Sequence, residues 1–142
     1  MDLDAVATQF GVVVKAAFPT FKIADNPLDS VLPPTFFVAD FTSEPHKTFS
    51  GFTTATFTLR LLVGKADPQS GGKLLRGYAG DGTGTVYAAL EAPHASGLTQ
   101  TLNGTCSDIV CDLIRGYRGF IHDRQTYIGV EWVFTVVGEK AA

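Results

Sequence analysis

The sequence predicts an α+β domain in which helices cover one face of a mostly antiparallel sheet. Residues 53–63 and 127–136 alternate apolar and polar side chains, a pattern typical of strands with one face on a core. Near the N-terminus, apolar residues recur at helical spacing instead. Because the strands cluster around a group of helices along the chain, we expect α+β architecture. The length of 142 residues indicates a single domain spanning 1–142.

The first element is an amphipathic helix over residues 2–18. Asp2 and Asp4 suit its N-terminal end, Lys15 suits its C-terminal end, and Pro19 ends it. Its apolar face is formed by residues three and four apart: Leu3, Val6, Phe10, Val13, Val14 and Ala17.

Two strands follow a proline-containing loop at residues 25–34. The first strand covers residues 35–40, and the second covers 53–63. In the second strand one face is apolar and the other carries three threonines and Arg60. Residues 41–52 are too many for a tight turn, so they predict a long hairpin arm.

A glycine-rich stretch, residues 77–84, follows a helix that is predicted to begin at Asp67-Pro68. Gly77 and Gly82 have the separation of a phosphate-binding P-loop, but Thr83 stands where its lysine is required. We therefore expect a corner between two helices, with Gly77 or Gly80 in the left-handed cap position. Thr85 caps the next helix, which Pro93 ends.

The C-terminal part returns to strands. From about residue 105, Ile109, Cys111 and Leu113 alternate with Asp108 and Asp112. A turn at 122–125 precedes the last strand, whose inward residues are predicted to be Ile128, Val130, Trp132, Phe134 and Val136. The opposite face of that strand carries Tyr127, Gly129, Glu131 and Thr135.

The residues that could perform catalysis form no recognised motif. His46, His94 and His122 are far apart in sequence, and surface loops are their expected position. Cys106 and Cys111 would face opposite sides of a regular strand. Asp108 and Asp112 are expected to lie on one solvated strand face. We therefore expect no enzyme activity, no cofactor and no metal.

The net charge of −3 argues against a surface that binds nucleic acid by neutralising phosphates. The N-terminal residues lack the pattern of a secretory signal, and the longest apolar stretches are shorter than a membrane span. These features predict a protein made in a cytosol with no membrane partner. Several phenylalanines near the predicted arm either contact another chain or extend the core.

Four segments, taken in order, resemble one family. They are "FTLRLLVGKAD", "YAGDGTGTVYAALEA", "SDIVCDLIRGYRGF" and "TYIGVEWVFTVV". Their succession over residues 53–137 is similar to that of tail terminator proteins of long-tailed actinobacteriophages, a group related to head-to-tail joining proteins. The resemblance implies a tail-terminator-like fold.

The resemblance also implies a function and partners. Such proteins form a hexameric ring at the head-proximal end of the tail tube, where they end tube polymerisation and join the tail to the head connector. The implied partners are copies of the chain, the tail tube protein and connector or neck proteins. Genomic DNA would pass through the ring without specific binding, and an acidic chain suits this passage. The implied location is the virion, after synthesis in the host bacterial cytoplasm.

Six residues are candidates for assembly contacts. His46, Lys47, Phe49 and Phe52 lie on the predicted arm. Arg60 and Glu131 are ionised residues on otherwise uncharged strand faces, so they are candidates for positions between subunits or in the lumen. Charge reversal at Arg60 is expected to impair ring formation without affecting folding.

Other functions remain open at this point. The chain could be another neck or head-completion protein, or a tail tube subunit, which would polymerise into long cylinders. It could also be a small ligand-binding or enzymatic α+β domain, which needs a pocket with convergent polar groups. A plain dimer that pairs through the phenylalanine-rich arm is a further alternative.

Overall fold

The computed structural model describes residues 1–24, 34–45, 51–65, 77–122 and 125–139. Two helices and five strands lie within these ranges, in the order α1 (Leu3–Ala17), β1 (Lys22–Ala24), β2 (Thr35–Glu44), β3 (Phe52–Lys65), α2 (Val86–Ala95), β4 (Asp108–His122) and β5 (Gln125–Glu139). Residues 77–79 add a helical turn. The helix predicted from Asp67-Pro68 falls mostly outside the described residues.

The five strands form one sheet in the order β1-β2-β3-β5-β4. β1 runs parallel to β2, and the other three pairings are antiparallel. The α+β prediction with a mostly antiparallel sheet is therefore confirmed. β4 and β5 form a hairpin in which His122 pairs with Gln125, at the position predicted for the turn.

The main core lies between the sheet and the two helices. Val6, Phe10 and Val14 of α1, with Val86 and Leu90 of α2, pack against the inward residues of the sheet. The predicted inward positions of β3 are buried, as are Val130, Trp132, Phe134 and Val136 of β5. We call this helix-covered side of the sheet the covered face, and the other side the open face.

Local sequence explains where the two helices begin. The Asp2 carboxylate accepts hydrogen bonds from the backbone N–H groups of Asp4 and Ala5, which would otherwise have no partner within α1. The Thr85 hydroxyl accepts from Ala88 N–H at the start of α2. The predicted cap at Thr85 is thus confirmed, and Asp2, predicted only to suit the N-terminal end of α1, is the cap of that helix.

Three local predictions are wrong. Gly77 lies in the helical turn, and the glycine of this stretch with a left-handed φ is Gly84, at 84°, directly before the Thr85 cap. Pro93 lies inside α2, which continues to Ala95.

Leu113 does not share the covered face with Ile109, because the register of β4 shifts between Cys111 and Leu113. This bulge turns Leu113 outward, and Ile114 packs against the core instead.

The predicted arm coincides only in part with the described residues. β2 extends to Glu44 and β3 begins at Phe52, so both ends of the stretch 41–52 are strand. Residues 46–50 lie outside the described residues, and a long hairpin arm is not shown. Within the ranges that the structure describes, no helix is long and apolar enough to cross a bilayer.

Candidate functional site

The open face carries an ionic cluster of three side chains. Arg60 and Glu131 are direct partners in the β3–β5 pairing. The Arg60 Nη2 and Nε atoms donate to Glu131 Oε1 at 2.6 and 3.1 Å. Arg115 of β4 places its Nε 3.6 Å from Glu131 Oε2. Glu131 is only 6% exposed, and a buried charge needs a partner of opposite sign. Arg60 and Arg115 of the same chain provide it.

An aromatic ring and a small apolar cluster adjoin these charges. The Arg60 guanidinium carbon lies 5.9 Å from the centre of the Phe37 ring. Phe37 packs with Ala24, Leu62 and Tyr127, and all four residues are buried. Positions predicted to point away from the main core are therefore not all solvent-exposed: Tyr127 and Glu131 are enclosed on the open face.

This arrangement bears on the two strand candidates. The structure brings Arg60 and Glu131 together as partners of each other. Reversing the charge of Arg60 would place a second carboxylate beside the buried Glu131, so we expect it to destabilise the fold as well. The expectation that folding would be unaffected is therefore abandoned.

The arm candidates are largely outside the described residues. His46, Lys47 and Phe49 fall in the range 46–50, which the structure does not describe. Phe52 is described: it is the first residue of β3, pairs with Glu139 of β5 and is 37% exposed. Of the arm set, only Phe52 therefore has a known position, at the end of the β3–β5 pairing.

The two edges of the sheet present apolar side chains to solvent. Phe41 of β2 is 56% exposed although its ring stacks on Phe57. On β4, Val110, Leu113 and Ile121 are exposed. Among the described strands, β4 pairs with β5 alone, and β1 covers only residues 35–37 of β2. β4 and the part of β2 beyond residue 37 thus each combine an edge that no described strand covers with exposed apolar residues, a combination that favours pairing with another strand.

A second polar cluster was not predicted and is centred on His94. His94 lies in the last turn of α2 and not in a surface loop, so that expectation is wrong. Its Nδ1 contacts Glu91 Oε2, and its Nε2 lies 2.6 Å from Asp108 Oδ1. The Asp108 carboxylate also accepts from the backbone N–H groups of Gln100 and Ile109. The cluster therefore ties the end of α2 to the start of β4.

The pKa values in this cluster follow its geometry. The hydrogen bond to Asp108 raises the pKa of His94, burial opposes this effect, and Glu91 adds to it. Burial alone would raise the pKa of Asp108. Hydrogen bonds from His94, Gln100 and Ile109 outweigh burial and lower it. With both ring nitrogens bound to carboxylates, His94 is poorly suited to take a proton from a substrate.

The two cysteines also have an environment that suppresses reactivity. Cys106 precedes β4, so the alternation expected between it and Cys111 does not apply, and both pack beside the main core. Burial, with the nearby Asp108 carboxylate, raises the pKa of Cys106 to about 11. Burial and the Glu91 and Asp112 carboxylates raise the pKa of Cys111 to about 11. At neutral pH both are thiols, which are weak nucleophiles.

The two aspartates of β4 have separate roles. Asp108 binds His94, whereas Asp112 accepts a hydrogen bond of 2.5 Å from the Thr135 hydroxyl on the open face. They therefore do not form a carboxylate pair. In the described part of the chain, no group of three or more His, Cys, Asp and Glu residues is arranged to hold a metal ion.

A scan against protein-family models finds no match, and a search of curated proteins finds no significantly similar sequence.

Proposed function

We propose that this chain is a structural virion subunit that assembles with copies of itself into a closed ring. In this proposal the ring sits at the head-proximal end of a phage tail tube, ends tube polymerisation and joins the tail to the head connector. The order of sequence segments over residues 53–137 supports the tail-terminator assignment. The α+β fold is compatible with it.

One observation carries the self-association part of the proposal: β4 and the part of β2 beyond residue 37 expose apolar side chains along edges that no other described strand covers. Phe41 on β2 is 56% exposed, and Val110 on β4 is 54% exposed. Exposed apolar residues beside open strand edges favour contact with another chain. Because the two edges differ, a contact between them is head-to-tail, and such contacts close into a ring when the rotation per subunit is suitable.

The polar groups support a structural role more than a catalytic one. His94 is held by two carboxylates, and both cysteines have pKa values of about 11. Glu131 is compensated within the chain by Arg60. The net charge of −3 suits a channel through which DNA passes without being retained.

The first test is the assembly state of the purified protein. We expect native mass spectrometry over a wide concentration range, with negative-stain images of the same samples, to give a closed six-fold species. Open filaments would favour a tail tube subunit, and a two-fold species would favour a plain dimer. A protein that stays monomeric at every concentration would contradict self-assembly of the ring.

Matched variants connect this test to the sheet edge. Leu113→Asp introduces a charge on the exposed part of β4, and Leu98→Asp makes the same change at an exposed residue outside the strands. We expect Leu113→Asp to abolish the ring and Leu98→Asp to retain it. Equal assembly of both variants would exclude this part of β4 from the interface.

Termination itself requires an assay with tail tubes. In a phage that encodes this chain, Leu113→Asp should yield tubes of irregular and excessive length that lack heads. Tubes of normal length joined to heads would contradict the assignment, even if the purified protein forms rings.

A further inference from the structure

The directions of β2 and β4 restrict how two copies can meet. β2 is antiparallel to β3, β3 to β5, and β5 to β4, so β2 and β4 run in opposite directions. A copy placed beside the first by rotation about an axis along the strands keeps these directions. Its β2 would therefore meet β4 of the first copy in antiparallel orientation, as in the other long pairings of the sheet.

The two open edges also lie at the same level of the sheet. Continuous rows of paired residues cross all four long strands at this level. One row lies on the covered face and reads Phe41, Phe57, Phe134, Cys111. The next lies on the open face and reads Thr42, Thr56, Thr135, Val110. If two neighbouring copies have the same position along the strand direction, residues 38–43 of one copy therefore lie close to the first half of β4 of the other.

Several registers between β2 of one copy and β4 of the next would keep covered-face residues opposite covered-face residues. The charges favour one of these registers. At equal height, Asp40 of one copy would lie beside Leu113 of the other and near the acidic Asp112. A shift of two residues preserves which face each side chain occupies. If β2 is shifted by two residues toward the C-terminal end of β4, Asp40 lies opposite Arg115, which is a half-exposed cation. Closed sheets require such a stagger between strands.

The shifted register also matches the apolar and uncharged residues. Phe41 comes opposite Ile114, and both belong to the covered face. Thr42 comes opposite Leu113 on the open face. The exposed ring of Phe41 and the exposed side chain of Leu113 would each gain a neighbour, which removes apolar area from water.

We propose that residues 38–43 of one copy pair antiparallel with β4 of the next copy, with Asp40 opposite Arg115 and Thr42 opposite Leu113. This proposal deepens the proposed function and rests on it, because the partner is a second copy of this chain. It joins the sheets of neighbouring subunits into one continuous sheet around the ring.

Engineered disulfides test the register directly. Directly opposed residues in antiparallel strands have Cα atoms about 4.5–5.5 Å apart, within the range that a disulfide spans. The test protein carries Thr42→Cys and Leu113→Cys, with Cys106→Ala and Cys111→Ala to remove the native thiols. After mild oxidation by copper phenanthroline, we expect non-reducing electrophoresis to show a ladder of covalent multimers that ends at the ring size.

The control variants identify other geometries. Either cysteine alone cannot link more than two chains, so a ladder requires both edges. A strong dimer from Leu113→Cys alone would indicate β4 paired with β4 and would overturn the proposal. The pair Thr42→Cys and Val110→Cys reports the unshifted register, and a ladder from this pair alone would overturn the proposed stagger.

A charge variant provides an independent measurement. Asp40→Lys places a cation opposite Arg115, and we expect it to weaken ring formation several-fold in native mass spectrometry. Asp81→Lys makes the same charge change in the exposed glycine-rich stretch, outside the strands, and should leave assembly unchanged. Equal assembly of the two variants would contradict the Asp40–Arg115 pairing.

Failure of this proposal can be distinguished from failure of the proposed function. If closed rings form but neither cysteine pair yields a ladder, the edge pairing is wrong and the ring stands. If the cysteine variants and the unmodified chain are all monomeric and yield no ladder, self-assembly and edge pairing are both wrong.

Discussion

The covered face and the open face of the same sheet are built from alternate residues of the same strands, yet they hold their side chains differently. On the covered face, Phe10 of α1 lies between the rings of Phe57 and Phe134, with centroid distances of 5.6 and 5.7 Å. On the open face, the buried carboxylate of Glu131 accepts a hydrogen bond from Arg60. The covered face depends on apolar packing against the helices, whereas the open face combines a small apolar cluster with a paired charge.

The side chains that specify the fold are therefore different from those that are available for assembly. Burial of aromatic and aliphatic side chains provides most of the stability on the covered face. The threonines of β3 and the exposed residues of β4 contribute little to the core, so substitutions there can change assembly without unfolding the chain.

Phe10→Ala should have the largest effect because it removes a fully buried ring from the covered face. We expect a loss of about 3–5 kcal/mol in the free energy of unfolding, measured by urea denaturation. Phe41→Ala is the matched control at the sheet edge, where the ring is more than half exposed, and should cost less than about 1 kcal/mol. Similar losses for the two variants would contradict the contrast between covered and exposed aromatic residues.

Arg60→Gln tests the buried charge on the open face. Within the described residues Glu131 would keep only the longer contact with Arg115, so we expect a loss of about 2–3 kcal/mol in unfolding free energy. Arg115→Gln makes the same chemical change at a more exposed arginine and should cost less than about 1 kcal/mol. The assignment of Arg60 as the principal partner would be refuted if Arg115→Gln were the more damaging change.

Thr85→Ala tests the start of the helix that covers the sheet. The Thr85 hydroxyl accepts from Ala88 N–H and donates to the carbonyl oxygen of Gly82, so its removal should cost about 1 kcal/mol. Thr83→Ala, in the exposed part of the same turn, should have almost no effect. Thermal unfolding of both variants and of Thr85→Ser, which keeps the hydroxyl, measures the difference.

His94→Gln should have the smallest effect, and one that depends on pH. The pKa of His94 is raised in the folded chain, so its stabilising contribution is complete below the unfolded value of about 6.5 and is lost as pH rises through the folded value. We expect the variant to lose less than about 1 kcal/mol near pH 6 and to approach the unmodified protein near pH 9.

The control for this pH dependence is His122→Gln, at the far end of β4. Urea unfolding of both variants at several pH values separates the effect of the Glu91–His94–Asp108 cluster from that of any other histidine. A difference between His94→Gln and the unmodified protein that grows with rising pH would have the wrong sign for this account.

Much of the fold could be predicted from alternation and spacing. The inward residues of β3 and most of those of β5 are buried as the sequence indicated, because a strand places every second residue on the same face. Leu113 was misplaced because a single extra residue at Asp112 reverses the faces, and neither composition nor propensity reveals such a bulge.

The candidate site could be predicted only in part. Arg60 and Glu131 stand out individually as charges within uncharged strand faces, but their pairing depends on the β3–β5 register. Glu91 and His94 are three residues apart on a helix and can be recognised as neighbours. Asp108 joins them through the packing of α2 against β4, which local sequence does not encode. The left-handed φ values of Leu102 and Asn103 were not predicted either; they lie in a turn closed by local hydrogen bonds, such as Thr105 N–H to the Thr101 carbonyl oxygen.

If the edges of β2 and β4 meet between copies, assembly must protect their backbone amides, and amide hydrogen exchange measures this protection. Exchange followed by mass spectrometry is compared below and above the concentration at which the protein assembles. Edge pairing predicts that assembly slows exchange in residues 38–43 and in the first half of β4, while the central residues of β3 change little. Protection confined to α1 and α2, with both edges unchanged, would contradict edge pairing.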